Sequence, residues 1–292
     1  MTHPFSHNPA DTRFLDVRDM TKRFGGLTAV DHVSFHVDQG EIVSIIGPNG
    51  AGKTTVFNML TGVYTVDEGS VTLNGRPIHN TSSQTVIEAG IARTFQNIRL
   101  FKGMRVVENV LVGMHLEKSY RFFDALLRTP RFRRKEAELT VRAVEILRDI
   151  GLGDHINDYA GNLPYGAQRK LEIARAMATN AQILLLDEPA AGMNPQESEE
   201  LMEFIRHLRD IGYTIILIEH DMQVVMNISD RIYVLDHGKR IASGLPKDVA
   251  NDPQVIKAYL GGDSGVLNPD SAHLPAADNA DTPTEKEGGA DA

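Results

Sequence analysis

Apolar and polar positions alternate along residues 13 to 46, most clearly in AVDHVSFHV, where Val33, Phe35 and Val37 fall on one face. That stretch predicts half-buried strands. The alternation gives way to EIVSII, a continuous apolar run of strand length that predicts a buried strand. A glycine-rich loop follows, and TTVFNMLTG then reads as a helix closed by Gly62. In GSVTLNGRPI, Asn74 and Gly75 separate two short strand patterns, a hairpin signal that sets an antiparallel element beside the core. From about residue 97 to residue 178 the period turns helical: in EAELTVRAVEILRDIG, Leu139, Ala143, Ile146, Leu147 and Ile150 recur at helical spacing before Gly151. This predicts an inserted helical subdomain. Two more buried strands, QILLLD and TIILIE, are separated by a helix whose start is announced by Asn194 as cap, Pro195 in the first turn and Glu197 completing a capping box. Alternating strands and helices predict an α/β fold built on a parallel sheet.

Domain limits follow from the same pattern. Residues 1–12 read as a flexible N-terminus, residues 13–262 as one main domain ending near VIKAYLG, and residues 263–292 as a disordered acidic tail. The tail is rich in Asp, Ala, Pro and Gly, with too few large apolar side chains to offset its ordering entropy. Its reading is a dispensable solubilising end or a regulatory arm. No internal repeat is visible.

Composition narrows the function only by exclusion. The 292 residues carry a formal net charge of −9, which argues against nonspecific binding to nucleic acid. RFRRKEAE, from Arg131, is the one strong basic run; it reads as a solvated helix face, with a nucleic-acid or lipid patch as the alternative. No apolar run reaches the roughly 20 residues needed to cross a bilayer, and the N-terminus lacks the basic start and apolar stretch of a signal peptide. The cytoplasm is therefore the expected compartment. With no cysteine, neither a disulfide framework nor thiolate chemistry is available.

The chemistry lies in short motifs. GPNGAGKT, from Gly47 through Pro48, Asn49, Gly50, Ala51, Gly52 and Lys53 to Thr54, matches the phosphate loop G-x-x-x-x-G-K-[ST] between a strand and a helix. In that arrangement backbone N–H groups surround a β-phosphate, Lys53 reaches the β- and γ-oxygens, Thr54 offers a hydroxyl to Mg²⁺, and Thr55 follows. ILLLDEP delivers Asp187 to the carboxyl end of a buried strand, where it can hold the Mg²⁺ shell, with Glu188 beside it to polarise a water. His220 directly follows TIILIE and would project from the edge where ligands bind in open α/β sheets. Gln96, in RTFQ, reads as a γ-phosphate or Mg²⁺ sensor at a hinge, or as an ordinary loop amide. Without the guanine-reading N-K-x-D motif, adenine is the expected base; Phe24 either stacks on it or packs in the core. A second anion-suited loop, NLPYGAQ, stands before another predicted helix.

Together these motifs resemble those of the nucleotide-binding subunits of ABC transporters over about residues 13 to 262. GPNGAGKTT resembles the Walker A loop, TFQ the Q-loop, LPYGAQ the signature motif, ILLLDE Walker B with its glutamate, AAGMNP the D-loop and IEHD the switch histidine. DEPAAGMNP, LIEHDMQVVM, ISDRIYVLDHG, VIKAYLG and the insert around RFFDALLRTPRFRRKEAE are similar to the branched-chain amino acid importer branch, the LivG type. The resemblance implies a P-loop NTPase of ABC type with an antiparallel β subdomain and an inserted helical subdomain. It implies an ATPase with ATP and Mg²⁺ as cofactors, in which Glu188, His220, Lys53 and Gln96 serve catalysis while Thr54, Gln96 and Asp187 hold the metal. Its partners would be transmembrane permease subunits, contacted from about Gln96 to Met114, and, indirectly, a solute-binding protein. A second ATPase subunit, itself or a paralogue, would be clasped head to tail, so that Tyr165, Gly166, Ala167 and Gln168 close the partner's site.

The implied location is the cytoplasmic face of the membrane, and the implied cargo is branched-chain or related amino acids, or small amides. Two departures stand out: Pro164 replaces the usual signature serine, leaving contact to the backbone of Tyr165, Gly166 and Ala167, and Asn194 stands where many D-loops have Asp. The rivals are a soluble ABC ATPase acting on nucleic acid and a nonhydrolysing nucleotide-gated regulator.

Overall fold

The computed structural model describes residues 13–117 and 129–260; the expected flexible start, the expected disordered tail and residues 118–128 of the insert lie outside the described residues. Strands β1 (Arg13–Phe24) and β2 (Leu27–Asp38) pair antiparallel, and β4 (Glu68–Leu73) and β5 (Arg76–Pro77) complete a four-stranded sheet in the order β2-β1-β4-β5. The turn at Asn74 and Gly75, both at positive φ, joins the last two strands as the sequence predicts. The second sheet has six strands, β10 (Lys239–Gly244), β9 (Arg231–Asp236), β3 (Ile42–Ile46), β8 (Thr214–Ile218), β7 (Ile183–Asp187) and β6 (Ile91–Arg93), in that spatial order. Neighbours from β9 to β6 run parallel, and β10 runs antiparallel at the edge.

The continuous apolar runs are explained by two cores on opposite faces of this sheet. Leu184, Leu186, Ile215 and Leu217 face the helical side, while Ile183, Leu185, Ile216 and Ile218 face the antiparallel sheet. The described helices include α1 (Lys53–Leu60), α2 (Ser83–Ala89), α3 (Val106–Gly113), α4 (Pro130–Asp149), α5 (Tyr165–Met177), α6 (Pro195–Asp210) and α7 (Met222–Ile228). Leu139, Ala143 and Leu147 of α4 are buried against α3 and α5, which gives the predicted periodicity its physical cause. The capping box at Asn194 and Glu197 forms as expected.

One boundary differs. Helix was expected from about residue 97, yet the first turn begins only at Val106. Backbone groups of the preceding stretch are satisfied by distant side chains instead of a helical ladder: Asn109 accepts from the Phe101 N–H, and Glu172 accepts from the Arg99 N–H.

Candidate functional site

Because β3, β8, β7 and β6 are parallel neighbours, their carboxyl ends share one edge of the sheet, where open α/β sheets bind ligands. The loop after β3 carries the phosphate-loop motif. Gly47 takes φ +152°, and a Cβ there would lie 2.1 Å from the Leu235 carbonyl oxygen; Gly52 takes φ +102°, with a Cβ 2.7 Å from the Ala29 carbonyl. Only glycine fits this path. Asn49, Gly50, Ala51, Gly52, Lys53, Thr54 and Thr55 line a cleft of about 350 Å³, together with Glu188, the turn Leu27, Thr28 and Ala29, and His237 and Gly238. Gly47 and Pro48 stand behind it, accepting hydrogen bonds from the Lys53 ammonium at 2.7 and 3.0 Å. Burial pushes the Lys53 ammonium below its ordinary value of 10.5, against the opposing pull of Glu188 and Asp187.

The other strand ends supply the acidic and polar groups. Asp187, buried at the end of β7, receives the Arg93 guanidinium at 2.5 Å; Arg93 also donates to Asn58 Oδ1 of α1 at 2.7 Å. Glu188 holds φ +45°, the left-handed region that a residue with a side chain rarely occupies, and its N–H donates to the Ile218 carbonyl of β8. This turn aims its carboxylate into the cleft, where the Gln96 side-chain amide donates to it at 2.5 Å and His220 Nδ1 lies 3.8 Å away. His220 is itself mostly exposed. Beneath it the buried Glu219 carboxylate accepts from the N–H groups of Ala190 and His220. Desolvation raises the Glu219 carboxyl above its ordinary value.

The structure thus brings Lys53, Thr54, Glu188, Gln96 and His220 to one sheet edge, next to Asp187. It places Tyr165, Gly166, Ala167 and Gln168 elsewhere, in the first turn of α5; Pro164, Gly166 and Ala167 line a separate cavity of about 280 Å³. No side chain caps that helix, as none caps α1, whereas Ser82, Thr129, Asn194 and Asp221 cap α2, α4, α6 and α7. The Gln168 amide turns back to the Leu163 carbonyl, and the Tyr165 hydroxyl donates to Ala191 O at 3.0 Å. Phe24 does not line the cleft. It is exposed at the end of β1, edge-on to Tyr64 with ring centroids 5.2 Å apart, so it is not a core residue either. Arg93, Asn58 and Glu219 escaped the sequence reading; a polar residue inside an otherwise apolar strand, as in GIART, was the available signal for the first.

Among the described residues no group of three or more His, Asp or Glu side chains converges to hold a metal by itself, and no helix is long and apolar enough to cross a membrane. Residues 30–191 match the family model of the ABC transporter, and residues 239–264 that of the branched-chain amino acid ATP-binding cassette transporter. The chain is 52% identical to the high-affinity branched-chain amino acid transport ATP-binding protein LivG of Salmonella typhimurium over 85% of this chain and 97% of that one. It is 49% identical to BraF of Pseudomonas aeruginosa, described in the same words, over 85% and 97%. Among solved structures, an ATP-binding cassette of an ABC transporter in its ADP conformation superposes with a TM-score of 0.76 at 34% identity, covering 86% of this chain and all of that one. A nucleotide-bearing relative of the same fold, the phosphate loop at the sheet edge and a family match spanning more than half the length lead to one conclusion: the chain belongs to the ABC transporter family, as an ATP-binding ATPase of that family.

Proposed function

We propose that this chain hydrolyses Mg²⁺-ATP at the cleft to drive import of branched-chain amino acids through transmembrane permease subunits, peripheral to the cytoplasmic face of the membrane. One observation carries the reading: the phosphate loop, Glu188, Gln96 and His220 converge on a single edge of the parallel sheet. The N–H groups of Gly50 to Thr55 and the uncapped start of α1 bind the phosphates, and Lys53 exchanges its loop carbonyls for β- and γ-oxygens. Thr54, the Asp187 oxygen that does not meet Arg93 and the Gln96 side-chain oxygen are the groups that would hold Mg²⁺, an all-oxygen donor set suited to that cation. When bound, Mg²⁺ neutralises charge on the β- and γ-phosphates. Glu188 polarises the attacking water, and His220 stabilises charge on the γ-phosphoryl group. Phe24 contacts adenine from the rim. Phe24→Ala then raises KM for ATP and leaves kcat unchanged.

Two copies, or one copy and a paralogue, complete the site, with the backbone of Tyr165 to Ala167 reaching the partner's γ-phosphate. The names of the LivG and BraF relatives support the cargo class. A groove of about 410 Å³, lined by Val112 and Gly113 beside Arg93, His115 and Arg175, supports a permease contact that includes the end of the Gln96 to Met114 region. Steady-state turnover decides the central claim. Glu188→Gln should lower kcat by about 10² to 10⁴ while ATP still binds; equal, negligible turnover in both proteins would leave a nucleotide-gated regulator instead. Salt-sensitive binding of DNA or RNA would redirect the reading to nucleic acid.

A further inference from the structure

The largest fully buried side chain among the described residues is a charged one, Arg169 of α5, and it is paired at 2.9 Å with Glu172, one turn along and equally buried. An ion pair withdrawn from water is a poor source of stability, since apolar residues of the same volume do as well or better. This pair does what apolar residues cannot. Arg169 donates to the backbone carbonyls of Phe95 at 2.9 Å and Gln96 at 2.8 Å, and Glu172 accepts the Arg99 N–H at 3.1 Å. These backbone groups belong to a loop with no hydrogen-bond ladder of its own. The Gln96 side chain in turn meets Glu188 at 2.5 Å. On its other side Arg169 lies 3.4 Å from the Tyr165 hydroxyl, which donates to Ala191 three residues beyond Glu188.

We propose that Arg169 and Glu172 are positioning residues for hydrolysis, holding the Gln96 backbone so that its side-chain amide meets Glu188 and linking the first turn of α5 to that pair within one chain. The proposal rests on the ATPase reading above. A displacement of α5, whose first turn presents Tyr165 to Ala167, is carried by the two arms of one rigid guanidinium to the Phe95 and Gln96 carbonyls, and so to the residue that contacts Glu188. Hydrolysis is thereby sensitive to where that helix sits, while the phosphate loop, which shares no hydrogen bond with Arg169 or Glu172, binds nucleotide independently of it.

The chain contains no tryptophan, so Phe95→Trp installs a single emission reporter in the loop. In that full-length parent, the double variant Arg169→Met/Glu172→Leu removes both charges at similar volume, and Arg169→Lys keeps the charge while losing the fork. Expected for the double variant are a thermal midpoint close to the parent's, unchanged affinity for a fluorescent ATP analogue, kcat lowered by about tenfold or more at unchanged KM, and loss of the ATP-dependent emission shift. Arg169→Lys should fall between. The proposal is overturned if kcat stays within about twofold of the parent in both variants, or if kcat, affinity and thermal midpoint decline together, which is the mark of a purely structural pair. Should the double variant not fold, Arg169→Lys decides by the same criteria. A parent that binds ATP without any turnover would defeat the ATPase reading instead; the emission comparison then stands alone, and an equal ATP-dependent shift in parent and variant overturns the positioning role.

Discussion

The phosphate loop and the loop leading into α5 both bring a glycine to the start of an uncapped helix, and the reasons for their glycines differ. In the phosphate loop the chain itself requires them: a side chain at Gly47 would overlap the Leu235 carbonyl of β9, and one at Gly52 would overlap the Ala29 carbonyl of β2. At Gly166, where α5 begins, no described neighbour does. Gly166 lies in a helical first turn without positive φ, and a Cβ there would meet no atom within 4 Å. Glycine in a helix costs roughly 0.5–1 kcal/mol against alanine, so a glycine with no internal reason points to something outside the chain that approaches its backbone. The first loop is built for a ligand that its own fold encloses; the second is half of a site that another surface completes.

The comparison breaks first at Gly47. Gly47→Ala should destabilise the fold by more than about 2 kcal/mol, because neither the backbone angle nor the Leu235 carbonyl can give way cheaply. Denaturant unfolding, read beside ATP binding, measures this, and a midpoint unchanged from the parent would remove the steric claim. Gly166 should behave in the opposite sense. Gly166→Ala is expected to leave stability unchanged or raise it by up to about 1 kcal/mol, while ATP turnover falls, and Gly166→Val should cut turnover by about 10- to 100-fold. Full activity in a folded Gly166→Val protein would mean that no partner reaches this backbone. Turnover per molecule should also fall on dilution if the second loop serves a neighbour, and a concentration-independent rate in a solitary chain would end that view.

What was legible in the sequence follows the range of the interactions. The strand runs were readable because alternate residues of Leu184 to Leu186 and Ile215 to Ile218 enter two cores, so apolarity is continuous. The phosphate loop was readable because its glycines answer to close, fixed neighbours. Arg169 and Glu172 were not. In RKLEIARA they look like one polar face of an amphipathic helix, and only a loop some 73 residues earlier in sequence turns that face inward. The same loop misled the helix boundary: NIRLFKGMRV carries apolar residues at helical spacing, but its backbone partners include side chains of Asn109, Glu172 and Arg175. Glu219, between an apolar strand and a histidine, carried no motif of its own, and its role in holding Ala190 needs the tertiary fold.

The smallest effect separates the two loops by pH. Lys53 serves the first loop, and burial lowers its pKa from 10.5. Glu219 lies between the two, holding the His220 N–H on the side of the first and, on the side of the second, the Ala190 N–H next to the Ala191 carbonyl that receives Tyr165, and burial raises its pKa from 4.5. Between the lowered Lys53 value and 10.5 the unfolded chain keeps a proton that the folded chain has released, so stability rises with pH through that window. For Glu219 the folded chain keeps the proton that the unfolded chain loses above about 4.5, so stability is full below that pH and declines as pH climbs through the raised folded value. Glu219→Gln should therefore flatten the decline on the acidic side and leave the alkaline rise intact, whereas Lys53→Met should do the reverse and abolish ATP binding as well. Unfolding midpoints followed from acid to alkaline pH in the two variants test this: identical pH profiles would show that the two buried groups do not titrate separately.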